Sequence, residues 1–312
     1  MARPRFDTKQ ARFDDRVAVV TGAGRGLGRE YALLLAALGA KVVVNDPGGA
    51  LTGDGGDSEP AQQVVDEIIA AGGEAIASTE SVATAVGGQA IVGAATQRYG
   101  RIDILIHNAG IVRPAPLSAM AAEDFDAVLD VHLRGAFHVV RAAFPAMCQA
   151  GYGRVVLTSS IGGLYGNHAV ANYAAAKAGI VGLSNVVALE GAEHGVRCNV
   201  IVPAAVTRMA EGLDTSAYPP MGADLVAPVV GWLAHESCSV TGEVLTAIAG
   251  RVARVVVAES VGVYQPQWTV DEVGARIEEI RDMSNPLVFP VVPDGHSAHI
   301  GHSFGMARGL HE

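Results

Sequence analysis

The chain has 312 residues, half of them hydrophobic but only 5% aromatic, so a sizeable core must be built mainly from Ala, Val, Leu and Ile. A formal net charge of −10 without any basic run argues against nucleic-acid binding, because backbone phosphates require clustered Lys and Arg. The three cysteines form no CxxC pair, which argues against a disulfide framework and favours a reducing compartment. No secretory signal and no apolar run of ~18 residues is present, so we expect a cytoplasmic protein without a membrane span.

Strands and helices alternate along the chain from Arg16 to about Ile248. Short apolar runs predict strands at 17–21, 41–46, 74–78, 102–107, 154–158, 196–202 and 243–248. Helical spacing predicts helices at 26–38, 61–71, 84–99, 123–149, 172–193 and 223–234. This alternation predicts an α/β fold, a doubly wound parallel sheet of about seven strands with right-handed crossovers. Ligands of such sheets bind beyond the carboxyl ends of the strands.

Two loops interrupt the alternation, and an extension follows it. Residues 47–60 form a Gly-rich loop after the second strand, and residues 204–224 form a loop that we expect to cover the substrate. We therefore predict a Rossmann-type domain over residues 1–250 and an extension over 251–312, which serves oligomerisation or covers the active site. The extension carries a short strand at 255–257, a charged helix at 270–283 and His296, His299 and His302. Because these histidines lack a fourth ligand and a regular helix, we expect no metal site.

The first strand ends in Thr21-Gly-Ala-Gly-Arg-Gly-Leu-Gly28, directly before a helix. Glycines at such a turn let the backbone approach a pyrophosphate, whose charge the helix N-terminus stabilises. Asp46 ends the second strand, 18 residues after Gly28, where a carboxylate accepts hydrogen bonds from a ribose and repels a 2′-phosphate. We therefore expect NAD, although Arg25 could favour the phosphate of NADP and Asp46 could be a simple cap.

Five motifs in register carry a family resemblance: Thr21-Gly-x3-Gly-x-Gly28, Asn108-Ala-Gly110, Ser160, Tyr173-x3-Lys177 and Pro203-x3-Thr207. Over roughly residues 13–250 the chain resembles the short-chain dehydrogenase/reductase family. The resemblance implies three cofactor-binding groups. The residues expected beside the pyrophosphate are Gly22, Arg25, Gly26, Leu27 and Gly28. Those expected beside the adenosine are Asn108, Ala109 and Gly110, together with Ser81 and Val82 after the third strand. Those expected beside the nicotinamide are Pro203, Thr207, Tyr173 and Lys177.

Tyr173 and Lys177 are four residues apart on a predicted helix, so they share one face. A phenol titrates near ~10, and an adjacent ammonium favours its ionised form. We therefore expect Lys177 to lower the pKa of Tyr173, the general acid/base, and to bind the nicotinamide ribose. Ser160 follows the fifth strand and can hydrogen-bond a carbonyl oxygen as charge develops. Ser159 offers a second hydroxyl, but spacing in the family favours Ser160.

Two positions depart from the family pattern, and one of them, with several sequence blocks, narrows the resemblance to one branch. His132 stands where most of the family has an Asn that anchors a water near the lysine, and Ala204 stands where Gly is usual. At His132, the chain resembles the (3R)-hydroxyacyl-CoA dehydrogenase unit of peroxisomal multifunctional enzyme type 2 and its stand-alone bacterial relatives. It is similar to the same branch in three sequence blocks: Val43–Gly49, Tyr165-Gly-Asn167 and Trp232–Cys238. His132 either holds the water or is a plain core residue.

This branch implies oxidation of a 3-hydroxyacyl-CoA by NAD, in fatty acid or steroid side-chain degradation. The alternatives are an NAD-dependent dehydrogenase of a steroid or small secondary alcohol, and a non-catalytic regulatory protein that binds the cofactor. Relatives in the family are commonly oligomers, so we expect a homodimer or homotetramer.

Overall fold

The computed structural model describes residues 11–206 and 218–309. Its centre is one eight-stranded sheet. The strands are β1 Val17–Thr21, β2 Lys41–Asn45, β3 Glu74–Ser78, β4 Ile104–His107, β5 Gly153–Thr158, β6 Val196–Ala204, β7 Val244–Ile248 and β8 Arg251–Val255. Their spatial order is β3-β2-β1-β4-β5-β6-β7-β8, and all neighbours from β3 to β7 are parallel. The prediction of a doubly wound α/β fold is confirmed.

The strand order reverses beside β1: β2 and β3 lie on one side of β1, and β4 to β8 lie on the other. Val19 pairs with Val43 of β2 on one side and with Leu105 of β4 on the other. Every residue of β1 is buried, as expected for a strand covered on both faces. The ends of β1, β2 and β4 therefore meet at the switch point, where such sheets bind their ligands.

The eighth strand was not predicted. Only Ala249 and Gly250 separate β7 from β8, and both have positive φ angles of 48° and 81°. A two-residue connection with this geometry makes a tight hairpin, so β8 runs antiparallel to β7. The strand expected at 255–257 is wrong apart from Val255. One compact unit ends at Arg254, and a second begins at Val255.

Helices cover the sheet. In the first unit they are α1 Gly26–Ala37, α2 Glu59–Ala70, α3 Ala85–Tyr99, α4 Ala122–Leu129, α5 Gly135–Ala150, α6 Ile161–Tyr165, α7 Ala171–Gly191 and α8 Ala227–Ala234. The predicted helical stretch over 123–149 is confirmed, but a π-helical turn at Asp130–Arg134 lies between α4 and α5. The short helix α6 was not predicted, since two of its five residues are glycines.

The second unit holds three helices: α9 Val270–Ala275, α10 Ile277–Ile280 and α11 Gly295–Ala307. A capping box of Thr269 and Glu272 starts α9, and the predicted helix at 270–283 is instead two short ones that meet at Arg276. The histidine-rich segment is helical, contrary to our expectation, and His299 pairs with Glu259 at 3.0 Å. In the two described ranges, no three His, Cys, Asp or Glu side chains are grouped to hold a metal, and no helix has the length and apolarity of a membrane span.

Asp103 anchors the opposite, amino-terminal end of the sheet. Its carboxylate is buried, with 1% of its surface exposed, and accepts the Val17 amide at 2.9 Å. Arg16 and Arg101 donate to the same carboxylate. This side chain therefore fixes the start of β1 against β4, and with it the register of the strands that reach the switch point.

We expect Asp103→Ala to lower the free energy of unfolding by about 3 kcal/mol, because it leaves a buried amide and two guanidinium groups without their acceptor. Urea denaturation measures this. Asp14→Ala is the control, since Asp14 forms only an exposed pair with Arg12, and it should change stability by less than about 0.5 kcal/mol. Equal losses in the two variants would contradict the anchoring role.

Candidate active site

Two glycines of the turn after β1 are packed too closely to carry a side chain. Gly22 has a φ of +63°, and a Cβ there would lie 2.7 Å from the Ala109 Cα. A Cβ on Gly28 would lie 2.1 Å from the Gly22 carbonyl oxygen. The turn leads directly into α1, and the first two residues of this helix are Gly26 and Leu27. Such a helix start is a ready binding surface for a pyrophosphate.

Asp46 lies beside this turn at the end of β2. Its Oδ2 accepts the Gly24 amide at 2.9 Å, and its Oδ1 accepts the Gly48 amide at 2.7 Å. Asp46 therefore holds two loop amides, whereas α1 starts at Arg25 without a side-chain cap. A carboxylate has about four acceptor positions, so these two bonds leave room for ribose hydroxyls. Arg25 donates to the Gly49 carbonyl oxygen at 3.4 Å.

Thr21 and His107 link the cofactor end of the site to its catalytic end, and our sequence analysis missed both roles. The Thr21 hydroxyl accepts the amides of Asn108 and Ala109 at 3.1 and 3.2 Å. Its one proton is then free to be donated to His107 Nδ1, which lies 3.1 Å away. His107 must therefore carry its proton on Nε2, which donates to the His132 carbonyl oxygen at 3.1 Å. Burial lowers the pKa of His107 to about 3, so the ring stays neutral.

Lys177 is buried on α7, and its ammonium donates to the Thr158 carbonyl oxygen at 2.6 Å. Burial lowers the pKa of Lys177 to about 7. Its Nζ lies 5.6 Å from the centre of the Tyr173 ring. The expectation that Lys177 lowers the pKa of Tyr173 is wrong for the chain by itself, because burial raises that pKa and only a hydrogen bond from Ser160 opposes the rise.

The structure separates the two adjacent serines. Ser159 is buried and donates to the Lys177 carbonyl oxygen at 2.6 Å, so its hydroxyl is used to hold α7. Ser160 is partly exposed, accepts the Gly162 amide at 3.1 Å as the cap of α6, and bonds the Tyr173 phenol. Ser160, Tyr173 and Lys177 thus meet at one place, as expected, and Ser159 faces away from the phenol toward the α7 backbone.

His132 sits in the π-helical turn, with 1% of its surface exposed. Its Nε2 lies 2.8 Å from the carbonyl oxygen and 3.0 Å from the amide nitrogen of Ile111. Its ring meets the Tyr173 ring edge-on, with centroids 5.2 Å apart. Among the described residues, Nδ1 of His132 is buried without a hydrogen-bond partner. Gly110 makes room for the ring, since a Cβ there would lie 2.4 Å from His132 Cε1.

Asn172 is a further residue that sequence reasoning missed. Its Nδ2 donates to the carbonyl oxygens of Arg113 and Asp124 at 2.9 and 3.1 Å, and its Oδ1 accepts the Tyr173 amide. It therefore fixes the start of α7 immediately before the catalytic tyrosine. The available signal was a polar side chain beside Tyr173 at the beginning of a helix, where Asn commonly bonds free backbone groups.

The remaining predicted residues follow β3 or β4, lie in β6, or fall outside the described residues. After β3, Ser81 is exposed, while Val82 is buried, close to Gly135 at the start of α5. Asn108 donates through Nδ2 to the Gly22 carbonyl oxygen at 3.1 Å. Pro203 lies in β6, and Thr207 lies outside the described residues.

Because Lys177 is buried, we expect the free energy of unfolding to depend on its charge, and therefore on pH. Its pKa is 10.5 in an unfolded chain and about 7 here, so the folded state carries the full cost of a buried charge below pH 7. That cost falls as pH rises from 7 to 10.5 and vanishes above it. We expect Lys177→Met to raise the free energy of unfolding by about 2 kcal/mol at pH 6 and by much less at pH 10.

Urea denaturation at both pH values measures the difference. Lys41→Met is the matched control, because Lys41 is about one third exposed and pairs with Glu74 at 3.7 Å; it should show no gain at pH 6. A gain for Lys177→Met that is the same at both pH values would contradict this account.

Comparisons with known proteins agree with this geometry. The family model described as short chain dehydrogenase matches residues 16–216. The chain is 52% identical over 240 residues to the peroxisomal multifunctional enzyme type 2 of Drosophila melanogaster; the match covers 77% of this chain and 40% of that protein. It is 46% identical over 276 residues to a short-chain type dehydrogenase/reductase of Mycobacterium tuberculosis, which covers 88% of this chain and 96% of that protein.

The solved structure of the full-length Drosophila enzyme superposes with a TM-score of 0.78 at 38% identity, over 96% of this chain and 50% of that one. The chain thus spans less than half of the length of the Drosophila relative and almost all of the mycobacterial one. The predicted resemblance to multifunctional enzyme type 2 and its bacterial relatives is confirmed. The chain belongs to the short-chain dehydrogenase family and is an oxidoreductase.

Proposed function

We propose that this protein is an NAD-dependent dehydrogenase that interconverts the 3-hydroxyl and 3-oxo groups of an acyl-CoA, with (3R) stereochemistry. The observation that carries the proposal is the meeting of Ser160, Tyr173 and Lys177 on the same edge of the parallel sheet as the Gly-rich turn and Asp46, since all of them follow carboxyl ends of strands or contact such an end. Members of the family generally bind NAD or NADP. Fatty acid or steroid side-chain degradation would use such a reaction.

The residues present fit a dinucleotide. The Gly-rich turn leads into the start of α1, whose first amides have no acceptor within the helix and suit a pyrophosphate. Asp46 would accept the adenosine ribose hydroxyls and, as an anion, disfavour a 2′-phosphate. Arg25 already donates to a loop carbonyl, which weakens the case for it as a phosphate ligand. Asn108, Ala109, Gly110, Ser81 and Val82 would border the adenosine, while Pro203 and Thr207 would border the nicotinamide.

The bound cofactor supplies a hydride acceptor and a positive charge near the phenol. Tyr173 takes the hydroxyl proton of the substrate as the hydride leaves carbon, and returns it in the reverse reaction. Its phenol is costly to ionise in the chain alone, because burial raises its pKa. Ser160 bonds this phenol and would also bond the substrate oxygen, and the Lys177 ammonium, with two protons not used by Thr158, would bind the nicotinamide ribose.

His132 would support this proton transfer. One of its ring nitrogens is used by the Ile111 backbone, and the other is buried without a partner among the described residues, beside Tyr173. Burial and the charge of Lys177 lower the pKa of His132 well below its usual value, so the ring is neutral and can bond a water on that side. The family uses an Asn at this place for a water near the lysine, and a neutral imidazole offers the same chemistry.

We also propose that the protein acts as a homodimer or homotetramer in the cytoplasm. All three cysteines are free, which suits a reducing compartment. The second unit exposes large apolar side chains, with Val257 86%, Val270 89% and Phe304 57% exposed. Burial of such residues between subunits removes an apolar surface from water.

Three variants test the catalytic assignment. We expect Tyr173→Phe to lower kcat by about 10²- to 10⁴-fold, because the proton acceptor is lost. Ser160→Ala should lower kcat by about 10²- to 10³-fold. Ser159→Ala is the control: it removes a hydrogen bond to α7, so it should cost about 1 kcal/mol of stability and leave most of the activity. Loss of activity only at Ser159 would overturn the assignment.

Four assays test the reaction itself, with NAD or NADP and with a (3R)- or (3S)-hydroxyacyl-CoA, followed by nicotinamide absorbance. We expect turnover of the (3R) substrate with NAD, and a kcat/KM about tenfold or more below this with NADP. Asp46→Ala should reduce the kcat/KM for NAD and not that for NADP. Turnover of neither acyl-CoA, or of the (3S) form alone, refutes the proposed substrate; turnover of a steroid or small secondary alcohol instead identifies the alternative enzyme.

A further inference from the structure

The Gly-rich loop that follows Asp46 is a closed and ordered element, which we call the strap, residues 47–57. The Asp57 amide donates to the Pro47 carbonyl oxygen at 2.9 Å and closes its neck. Gly48 has a φ of +75°, and a Cβ there would lie 1.7 Å from the Asp57 carbonyl oxygen, so only glycine fits this neck. A second bond, from the Ala50 amide to Asp54 at 2.8 Å, shapes the tip.

The strap runs across the end of β1. It leaves β2 at Asp46, and the Arg25 side chain of the Gly-rich turn donates to it at Gly49. Its tip lies on the segment that follows β4: the Val112 amide donates to the Leu51 carbonyl oxygen at 3.0 Å. Because β1 lies between β2 and β4 in the sheet, a loop that joins their ends must cross the Gly-rich turn where a dinucleotide binds.

Arg113 fastens the tip. Its guanidinium donates to the Thr52 carbonyl oxygen at 2.8 Å and contacts Asp54 at 3.4 Å, and on its other side it pairs with Asp124 of α4 at 3.1 Å. About a quarter of the Arg113 side chain and three quarters of the Asp54 side chain are exposed. Ion pairs this exposed are weak, so the fastening can be released and re-formed.

The same residue reaches the catalytic helix. The Arg113 carbonyl oxygen accepts Asn172 Nδ2 at 2.9 Å, one residue before Tyr173. Gly53 at the strap tip packs on Ile111, since a Cβ there would lie 3.0 Å from the Ile111 Cδ1. Ile111 is in turn held by His132, which contacts Tyr173. The docked strap therefore rests on the backbone that positions the catalytic groups.

We infer that the strap is a closure over the cofactor cleft, latched by Arg113, and that it must undock before the dinucleotide can leave. Arg113 is a positioning residue, since it acts through the strap and through Asn172. The inference rests on the proposed function in one respect, that a nicotinamide dinucleotide occupies the cleft. It does not depend on the substrate.

Release of NADH tests the latch. In stopped-flow fluorescence, the full-length Arg113→Ala protein should release NADH about tenfold faster than the natural chain, a change of ~1.4 kcal/mol in the barrier. Asp54→Asn removes one contact of an exposed side chain, so it should fold normally and release NADH two- to threefold faster. Arg276→Gln is the control, because it removes an exposed arginine pair with Glu279 outside the first unit; its release rate should be unchanged.

The hydrogen-exchange rate of the Val112 amide measures the docking of the strap and does not require enzyme turnover. The Val112 amide should exchange faster in Arg113→Ala than in the natural chain, and bound NADH should slow its exchange in the natural chain. An unchanged rate of NADH release in Arg113→Ala, or Val112 exchange that is insensitive to NADH, overturns the inference. If only NADPH binds, the proposed cofactor is wrong, and the same measurements with NADPH then test whether the strap controls dinucleotide release. If no acyl-CoA is turned over while the latch variants release NADH faster, the strap stands and the proposed substrate fails.

Discussion

A buried ammonium that is only partly satisfied is the constraint on which the catalytic end of this protein depends. Lys177 has one carbonyl acceptor, from Thr158, and no carboxylate partner among its observed contacts. Burial therefore lowers its pKa to about 7, and the fold bears a cost that a surface lysine would avoid. Such a cost is typical of functional sites, because it leaves donors ready for a ligand that arrives later. The proposed ribose contact is such a ligand.

The groups around Lys177 are arranged so that none of them titrates near neutral pH in competition with Tyr173. His107 is held neutral by burial, and its tautomer is set by the Thr21 hydroxyl. His132 is neutral for the same physical reason. The π-helical turn makes this possible, because it brings the His132 carbonyl oxygen to His107 and the His132 ring to Tyr173. Single π-helical turns within helices are frequent at functional sites.

The cofactor end and the catalytic end are joined by backbone contacts. Thr21 ends β1 and bonds the amides that follow β4, while the strap passes from β2 to Val112 and Arg113. Arg113 and Asn172 then reach α7. The proposed cofactor binding at the Gly-rich turn and the proposed proton transfer at Tyr173 therefore share one set of loops at the switch point of the sheet, which is where parallel α/β folds concentrate their variable and functional segments.

The sequence by itself determined the α/β class, the order of most strands and helices, and the positions of the Gly-rich turn, Asp46, Tyr173 and Lys177. These features rest on short-range rules: apolar runs, helical spacing, and glycine where backbone must approach backbone. Spacing in the family favoured Ser160 over Ser159, and the tertiary structure shows what each hydroxyl does: Ser159 holds α7, while Ser160 meets the phenol. The tertiary structure also decided the direction of the Tyr173 pKa, because burial depends on the whole fold and raises that pKa against the hydrogen bond from Ser160. The eighth strand, the π-helical turn and the docking of the strap on Arg113 depend likewise on contacts between distant parts of the chain, which local patterns do not encode.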